Sequence, residues 1–256
     1  MVVRRDGTVE RYAALDPSGF PNGLAFDHRG NLYVSDSYLG VVWRIPRGSG
    51  EAELWAESPL LAHDWVNGVG IGSNGLAFWR GDLYVANTDQ GLVACTAVEP
   101  DGSAGAITLY AQNADLTNAD GLAFDVNGNL YVVSSVGADK LVRVAPDGAT
   151  EVLARAADGL DYSASLAARL DRKSVYIANV GVDYGHPGVV KATIGVPDFA
   201  WLRLSRRRSG RRRRLGRGRV RPPLRPAVRL GQSCPRPGCT CVATRRSWTP
   251  AAALAA

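Results

Sequence analysis

The sequence predicts an all-β fold, a β-propeller of four-stranded antiparallel blades, and three observations carry the prediction. A phrase of the form NGLAFD…GNLYV recurs along the chain. Each copy is followed by two further runs of strand-forming residues. The joints between runs are rich in Gly, Asp-Gly and Pro-Asp-Gly, where glycine supplies the positive φ of a tight turn and proline presets the corner before it. Four strand signals every 40–50 residues or so mark a propeller blade. Independent hairpins would be marginal in water, and the two-residue alternation excludes a helical repeat.

The elements follow in order. The opening MVVRRDGTVERY reads as strand, Asp-Gly turn, strand. It has no apolar core of the kind a signal peptide needs, and a chain that opens inside a hairpin implies a preceding segment. The first full unit is NGLAFD, NLYVSD, GVVWRIP and EAELWAE. The second is SNGLAF, DLYVAN, GLVACTAV and ITLYAQ, and the third is DGLAFD, NLYVVS, KLVRVA and TEVLAR. A fourth, worn copy requires a choice of register. ADGL at 157–160 looks like the phrase, but Gly159 lies 17 residues before Tyr176, whereas Gly23 lies 10 before Tyr33. SASLAA is therefore the fourth first strand, and ADGL closes the preceding blade. The letter before Gly in successive copies is Asn22, Asn74, Asp120 and then Ala164, at intervals of 52, 46 and 44 residues.

After about residue 199 the composition changes. Residues 1–199 hold 11 Arg, 3 Lys and 24 Asp+Glu, a net charge of −10, whereas residues 200–256 hold 16 Arg and no Lys, Asp or Glu. The overall +6 therefore describes neither part. Two readings of 200–256 apply: an arginine-rich arm attracted to nucleic acid phosphates, or a GC-rich gene read out of frame. The abrupt break favours the second. Either way the tail is expected to be disordered, because it cannot bury enough apolar surface to offset its chain entropy. Three of the four cysteines lie there without zinc spacing, and Cys95 reads as a small buried hydrophobe. No run of 18 apolar residues is present, so no membrane-spanning helix is expected.

In a propeller the first strand of each blade lines the central channel, so residues at one end of successive first strands form a ring. Asn22, Asn74 and Asp120 are such a set. They offer only oxygen ligands, which suit Ca²⁺ or Mg²⁺, with Mn²⁺ as a further candidate. Asn and Asp before Gly are also ordinary turn residues, and that reading stands beside the first. A turn would ask the same of every copy, whereas the letter changes to Asp and then disappears. Asp36, Asn87 and Ser134 end the second strands 13–14 residues later, on the same face. They are candidates to touch substrate or to orient the ring residues. The long loop 60–75 enters that face and brings His63, Asp64 and Trp65 as candidate pocket wall.

FPNGLAFDHRGNLYVSDSYLGVVWRIP, GSNGLAFWRGDLYVANTDQG, NADGLAFDVNGNLYVV and PGVVKATIGVP resemble the SMP-30/gluconolactonase/LRE family of six-bladed propellers, particularly its bacterial sugar-lactone-lactonase-like branch. The resemblance covers residues 1–199 and implies that about four of six blades are represented. It implies a divalent metal on the axis, Ca²⁺ foremost, with Zn²⁺, Mn²⁺ or Mg²⁺ as alternatives. The ligands implied are Asn22, Asn74, Asp120 and a Glu with no counterpart in this chain. It also implies metal-assisted lactone hydrolysis of a small-molecule substrate, with Asp120 as ligand and general base. With one carboxylate where the family has two, metal binding is expected to be weak. The alternatives are a non-catalytic propeller that binds a ligand or protein on its ring face, and an inactive truncated fragment. No membrane partner is expected, and nucleic acid only through the basic tail. Unpaired blade edges predict self-association. No Ser-His-Asp set, P-loop or HExxH supports a rival chemistry.

Overall fold

The computed structural model describes residues 2–3, 5–65, 68–168, 174–185 and 187–194. The described residues all belong to one compact unit. The expectation of a disordered basic tail at 200–256 lies outside the described residues.

A two-stranded hairpin, β1 (Val2–Val3) with β2 (Val9–Glu10), precedes the blades. Blade 1 is the antiparallel meander β3 (Pro21–Phe26), β4 (Leu32–Asp36), β5 (Val41–Ile45) and β6 (Glu53–Glu57). Blade 2 is β7 (Ser73–Trp79), β8 (Asp82–Asn87), β9 (Leu92–Ala97) and β10 (Thr108–Gln112). Blade 3 is β11 (Ala119–Phe124), β12 (Leu130–Ser134), β13 (Lys140–Val144) and β14 (Thr150–Arg155). Blade 4 has three strands among the described residues, β15 (Ser163–Ala168), β16 (Ser174–Asn179) and β17 (Gly188–Thr193). The choice of SASLAA as its first strand holds. The competing ADGL lies at a short 3₁₀ turn, Ala156–Asp158, capped by Gly159 at φ 95°.

First strands pack side by side, β3 on β7, β7 on β11 and β11 on β15, which makes them the inner strands of the propeller. The second strands explain why the phrase is apolar on both faces. Leu83 and Val85 of β8 face Tyr33, Val42 and Trp55 of blade 1, while Tyr84 and Ala86 face Phe124, Leu130 and Val132 of blade 3. In β12 the same division recurs, with Leu130 and Val132 toward blade 2, and Tyr131 and Val133 toward Leu166, Val175 and Ile177 of blade 4. The alternation thus sorts residues between two inter-blade cores, not between core and water. The D…GNLY part of the phrase is a closed turn. Buried Asp125 accepts hydrogen bonds from the Asn127 and Asn129 N–H groups and from Asn129 Nδ2, with Tyr131 Oη at 3.3 Å. Asp27, Asn31 and Tyr33 repeat it in blade 1.

The outer blades end differently. On β3, Leu24 and Phe26 are about two-thirds exposed, as is Val189 on β17. A groove of about 610 Å³ runs between the 11–17 segment and β3 and reaches Asn22. Among the described residues no helix is long and apolar enough to cross a membrane.

Candidate functional site

Each inner strand begins with a β-bulge at the variable letter. Pro21 pairs with Asp36 and Leu24 with Val34, so Asn22 and Gly23 lie in the irregular step. The same shift occurs between Ser73 and Leu76, between Ala119 and Leu122, and between Ser163 and Ser165. Bulges re-aim side chains at strand ends, and these four lie at one end of four adjacent inner strands. The structure therefore brings Asn22, Asn74 and Asp120 into a row, with Ala164 fourth. Asn22 is exposed, whereas Asn74 and Asp120 are buried.

The glycine after each ring residue has a steric cause. A Cβ on Gly23 would run into the Asn74 carbonyl oxygen, and one on Gly75 into the Asp120 carbonyl oxygen. A Cβ on Gly121 would stand 2.8 Å from Ser165 Cα. Neighbouring inner strands meet backbone to backbone, and only glycine permits that approach. Ser165, the fourth member, is exposed and carries a side chain freely.

A second set of residues, which the sequence reading passed over, completes the arrangement. Asn22 Nδ2 donates to Ser37 Oγ at 3.2 Å, and Asn74 Nδ2 donates to Thr88 Oγ1 at 3.0 Å. Ser37 Oγ in turn donates to the Ser73 carbonyl of the next blade, and Thr88 Oγ1 to the Ala119 carbonyl, each at 2.8 Å. The Ser135 hydroxyl bonds Asp120. Each amide is thereby anchored through its nitrogen, and Asn22 Oδ1 and Asn74 Oδ1 are the atoms of the pair able to meet a cation. The readable signal was a hydroxyl one residue beyond Asp36, Asn87 and Ser134. In the fourth blade that position is Val180, lost together with the ring residue at Ala164.

The three strand-end residues behave differently from the ring. The fully buried Asp36 carboxylate accepts from Phe20 N at 2.8 Å, Leu39 N at 3.1 Å and Trp43 Nε1 at 3.2 Å. Asn87 Nδ2 donates to the Leu60 and Ala62 carbonyls, and its Oδ1 accepts from Gln90 N. Both hold loops. Ser134 Oγ is buried without a partner among the described residues. Loop 58–72 is further pinned by Asp89, whose carboxylate accepts from Asp64 N, Val69 N and Ile71 N at 2.8–2.9 Å.

Burial pushes the Asp120 carboxyl up to about 7, with the Ser135 bond opposing it. Tyr162, half-buried with φ 50°, lies within electrostatic reach of Asp120. Its phenol is pushed up by burial first and by Asp120 and Asp183 next. The Asp120 shift has a thermodynamic consequence. The unfolded carboxyl releases its proton near 3.8 and the folded one near 7. The folded state therefore binds the extra proton between those values, and stability falls as pH rises through them, by on the order of 2–4 kcal/mol. In chelator, Asp120→Asn is expected to raise the melting temperature most at pH 8, by less than half as much at pH 5, and not at all below about pH 3.8, where the carboxyl is protonated in both states. Equal shifts at pH 8 and pH 5 would contradict the burial effect.

As a metal centre the row offers two amide oxygens and one carboxylate, a hard donor set suited to Ca²⁺, Mg²⁺ or Mn²⁺ more than to Zn²⁺. Among the described residues no group of three His, Cys, Asp or Glu is placed to hold a metal. The fit thus rests on the amides and is incomplete, with the remaining positions left to water or substrate.

No protein-family model matches the chain. The Drosophila melanogaster adipocyte plasma membrane-associated protein Hemomucin is 29% identical over 150 residues, which cover 51% of this chain and 25% of that protein. Three solved structures share the fold. One is a gluconolactonase from Xanthomonas campestris, with TM-score 0.53 and 18% identity, covering 76% of this chain and 63% of that one. The second is a luciferin-regenerating enzyme, with TM-score 0.54 and 16% identity, covering 71% and 64%. The third comes from a nidogen/laminin complex, with TM-score 0.59 and 18% identity, covering 77% and 70%. The chain spans a quarter of the curated relative and less than two-thirds of the gluconolactonase. The fold these structures share with the chain is the β-propeller.

Proposed function

We propose that the row Asn22, Asn74 and Asp120 is the working part of a lactone-hydrolase site that uses a divalent cation, Ca²⁺ foremost. The observation that carries this reading is the repeated pair of ring residue and hydroxyl. It anchors two amides through their nitrogens and adds a buried carboxyl at the third place. A bound cation would polarise the ester carbonyl and lower the pKa of water. Asn22 Oδ1, Asn74 Oδ1 and the Asp120 carboxylate are the atoms that would hold it. The Asp120 carboxylate can take a proton from the attacking water and return it to the ring oxygen as the acyl C–O bond breaks. Ser135 keeps the carboxylate oriented for both transfers. The product is one open chain carrying an alcohol and a carboxyl group, and the carboxyl releases the water's second proton to solvent.

A non-catalytic propeller that binds a ligand on its ring face is the second reading. The exposure of Asn22 and the single carboxylate of the row favour it. Hydrolysis of five- and six-membered lactones, followed by pH-stat in 5 mM CaCl₂ or in EDTA (about those conditions suit a site with Kd near 10⁻⁴–10⁻³ M), separates the two. The expected result is turnover in Ca²⁺, at least about tenfold loss in EDTA, and recovery on adding Ca²⁺ back. Turnover indifferent to chelation would remove the metal from the reaction, and no turnover with any lactone would leave the binding reading.

A further inference from the structure

Beside the row, at the same end of blades 1 and 2, stands a set of aromatic rings that the chemistry above does not use. Phe20 and Tyr38 stack with centroids 5.0 Å apart and planes 25° apart. Tyr38 lies 6.3 Å from Trp65, and Trp65 lies 5.1 Å from His63, edge to face. Phe20, Tyr38 and Trp65 are 44%, 43% and 63% exposed, large fractions for apolar rings on one patch.

The patch is continuous with the row. Phe20 is two residues before Asn22, Tyr38 follows the Ser37 that bonds Asn22, and the Trp65 loop runs directly into Asn74. It is also held in place. Asp89 gathers three backbone N–H groups of the loop, and Gln90 Nε2 donates to the Pro59 and Ala62 carbonyls. Gly70, at φ 77°, lies so close under the Trp65 ring that a Cβ there would collide with it. An exposed tryptophan fixed by its own loop has already lost the freedom that ligand binding would otherwise remove.

We infer that Phe20, Tyr38 and Trp65 form a shelf for a flat apolar or aromatic substituent of the ligand whose polar end meets Asn22, Asn74 and Asp120. The identity of that polar end as a lactone carbonyl rests on the lactonase reading; the shelf itself does not. The shelf presents three ring surfaces, so it selects an apolar arm over a polyhydroxylated one.

Lactams test the shelf without hydrolysis. Binding of 6-phenyl-2-piperidinone and 6-methyl-2-piperidinone to the full chain is measured by calorimetry in Ca²⁺. The phenyl compound is expected to bind at least about tenfold tighter. That preference is expected to vanish in Trp65→Ala, to fall in Tyr38→Ala, and to fall in Asp89→Ala, which frees the loop. Equal affinities in the wild type would overturn the shelf, as would a preference that survives both aromatic substitutions. Sedimentation of the same proteins reads the other occupant: a dimer abolished by Trp65→Ala, with no lactam preference, would assign the patch to a second copy and overturn the proposal. A phenyl preference without hydrolysis of any lactone keeps the shelf and rejects the lactonase reading, and hydrolysis without the preference does the reverse.

Discussion

Replacing Asp120 with alanine is expected to lower kcat/KM for lactone hydrolysis by about a hundredfold to ten-thousandfold, the range of a lost general base. The size of the effect follows from a concentration of roles. Asp120 is the one carboxylate of the row, it is buried, and burial makes it a stronger base than a solvated carboxylate. Asp120→Asn keeps the shape and the Ser135 contact but cannot take a proton, so it should lose nearly as much activity while keeping the fold. Measuring both variants separates proton transfer from packing. If Asp120→Asn retains more than about a tenth of the wild-type rate, the carboxylate is not the base.

Gly75→Ala is expected to cost about 3 kcal/mol or more of stability, a fall of roughly 6–12 °C in melting temperature for a domain of this size. The added methyl would collide with the Asp120 carbonyl oxygen and stand 2.9 Å from Gly121 Cα. Both obstacles are backbone of the next blade's inner strand, so no rotamer change relieves the clash. The inner strands must separate, and the Asn74 and Asp120 side chains move with them. Ser165→Ala is the matched control, because that position is exposed and already carries a Cβ; a change within about 0.5 kcal/mol is expected. A Gly75→Ala protein that melts with the wild type would contradict the close approach of β7 and β11.

The strands were legible because both faces of the first three second strands are buried, which writes an uninterrupted LYV into those copies, while the less buried fourth reads SVYIAN. The register of the fourth blade was legible from the spacing to Tyr176. The row of Asn22, Asn74 and Asp120 was legible because it is one letter of a repeat. Its support was not. Ser37 and Thr88 donate to carbonyls of the next blade, and a backbone acceptor leaves no mark on the sequence. Asp36 and Asn87 read as candidates to touch substrate or to orient the ring residues because they terminate strands on the ring's face. In the folded chain their oxygens and nitrogens are spent on Phe20, Leu39, Trp43, Leu60 and Ala62. Asp89 was passed over, since a carboxylate in a turn looks like any solvated charge until its three donors arrive from loop 64–71.

The hydroxyls of Ser37 and Thr88 each serve two masters, the ring amide of their own blade and the main chain of the blade that follows. A donor in this row is therefore not a modular part. Anyone wishing to graft a further acid onto blade 4 would have to rebuild Ala164 and Val180 together, because a lone carboxylate at 164 would arrive without the hydroxyl that aims it. By the same logic, copying a blade to lengthen the propeller would carry a usable ligand only if the pair travelled intact.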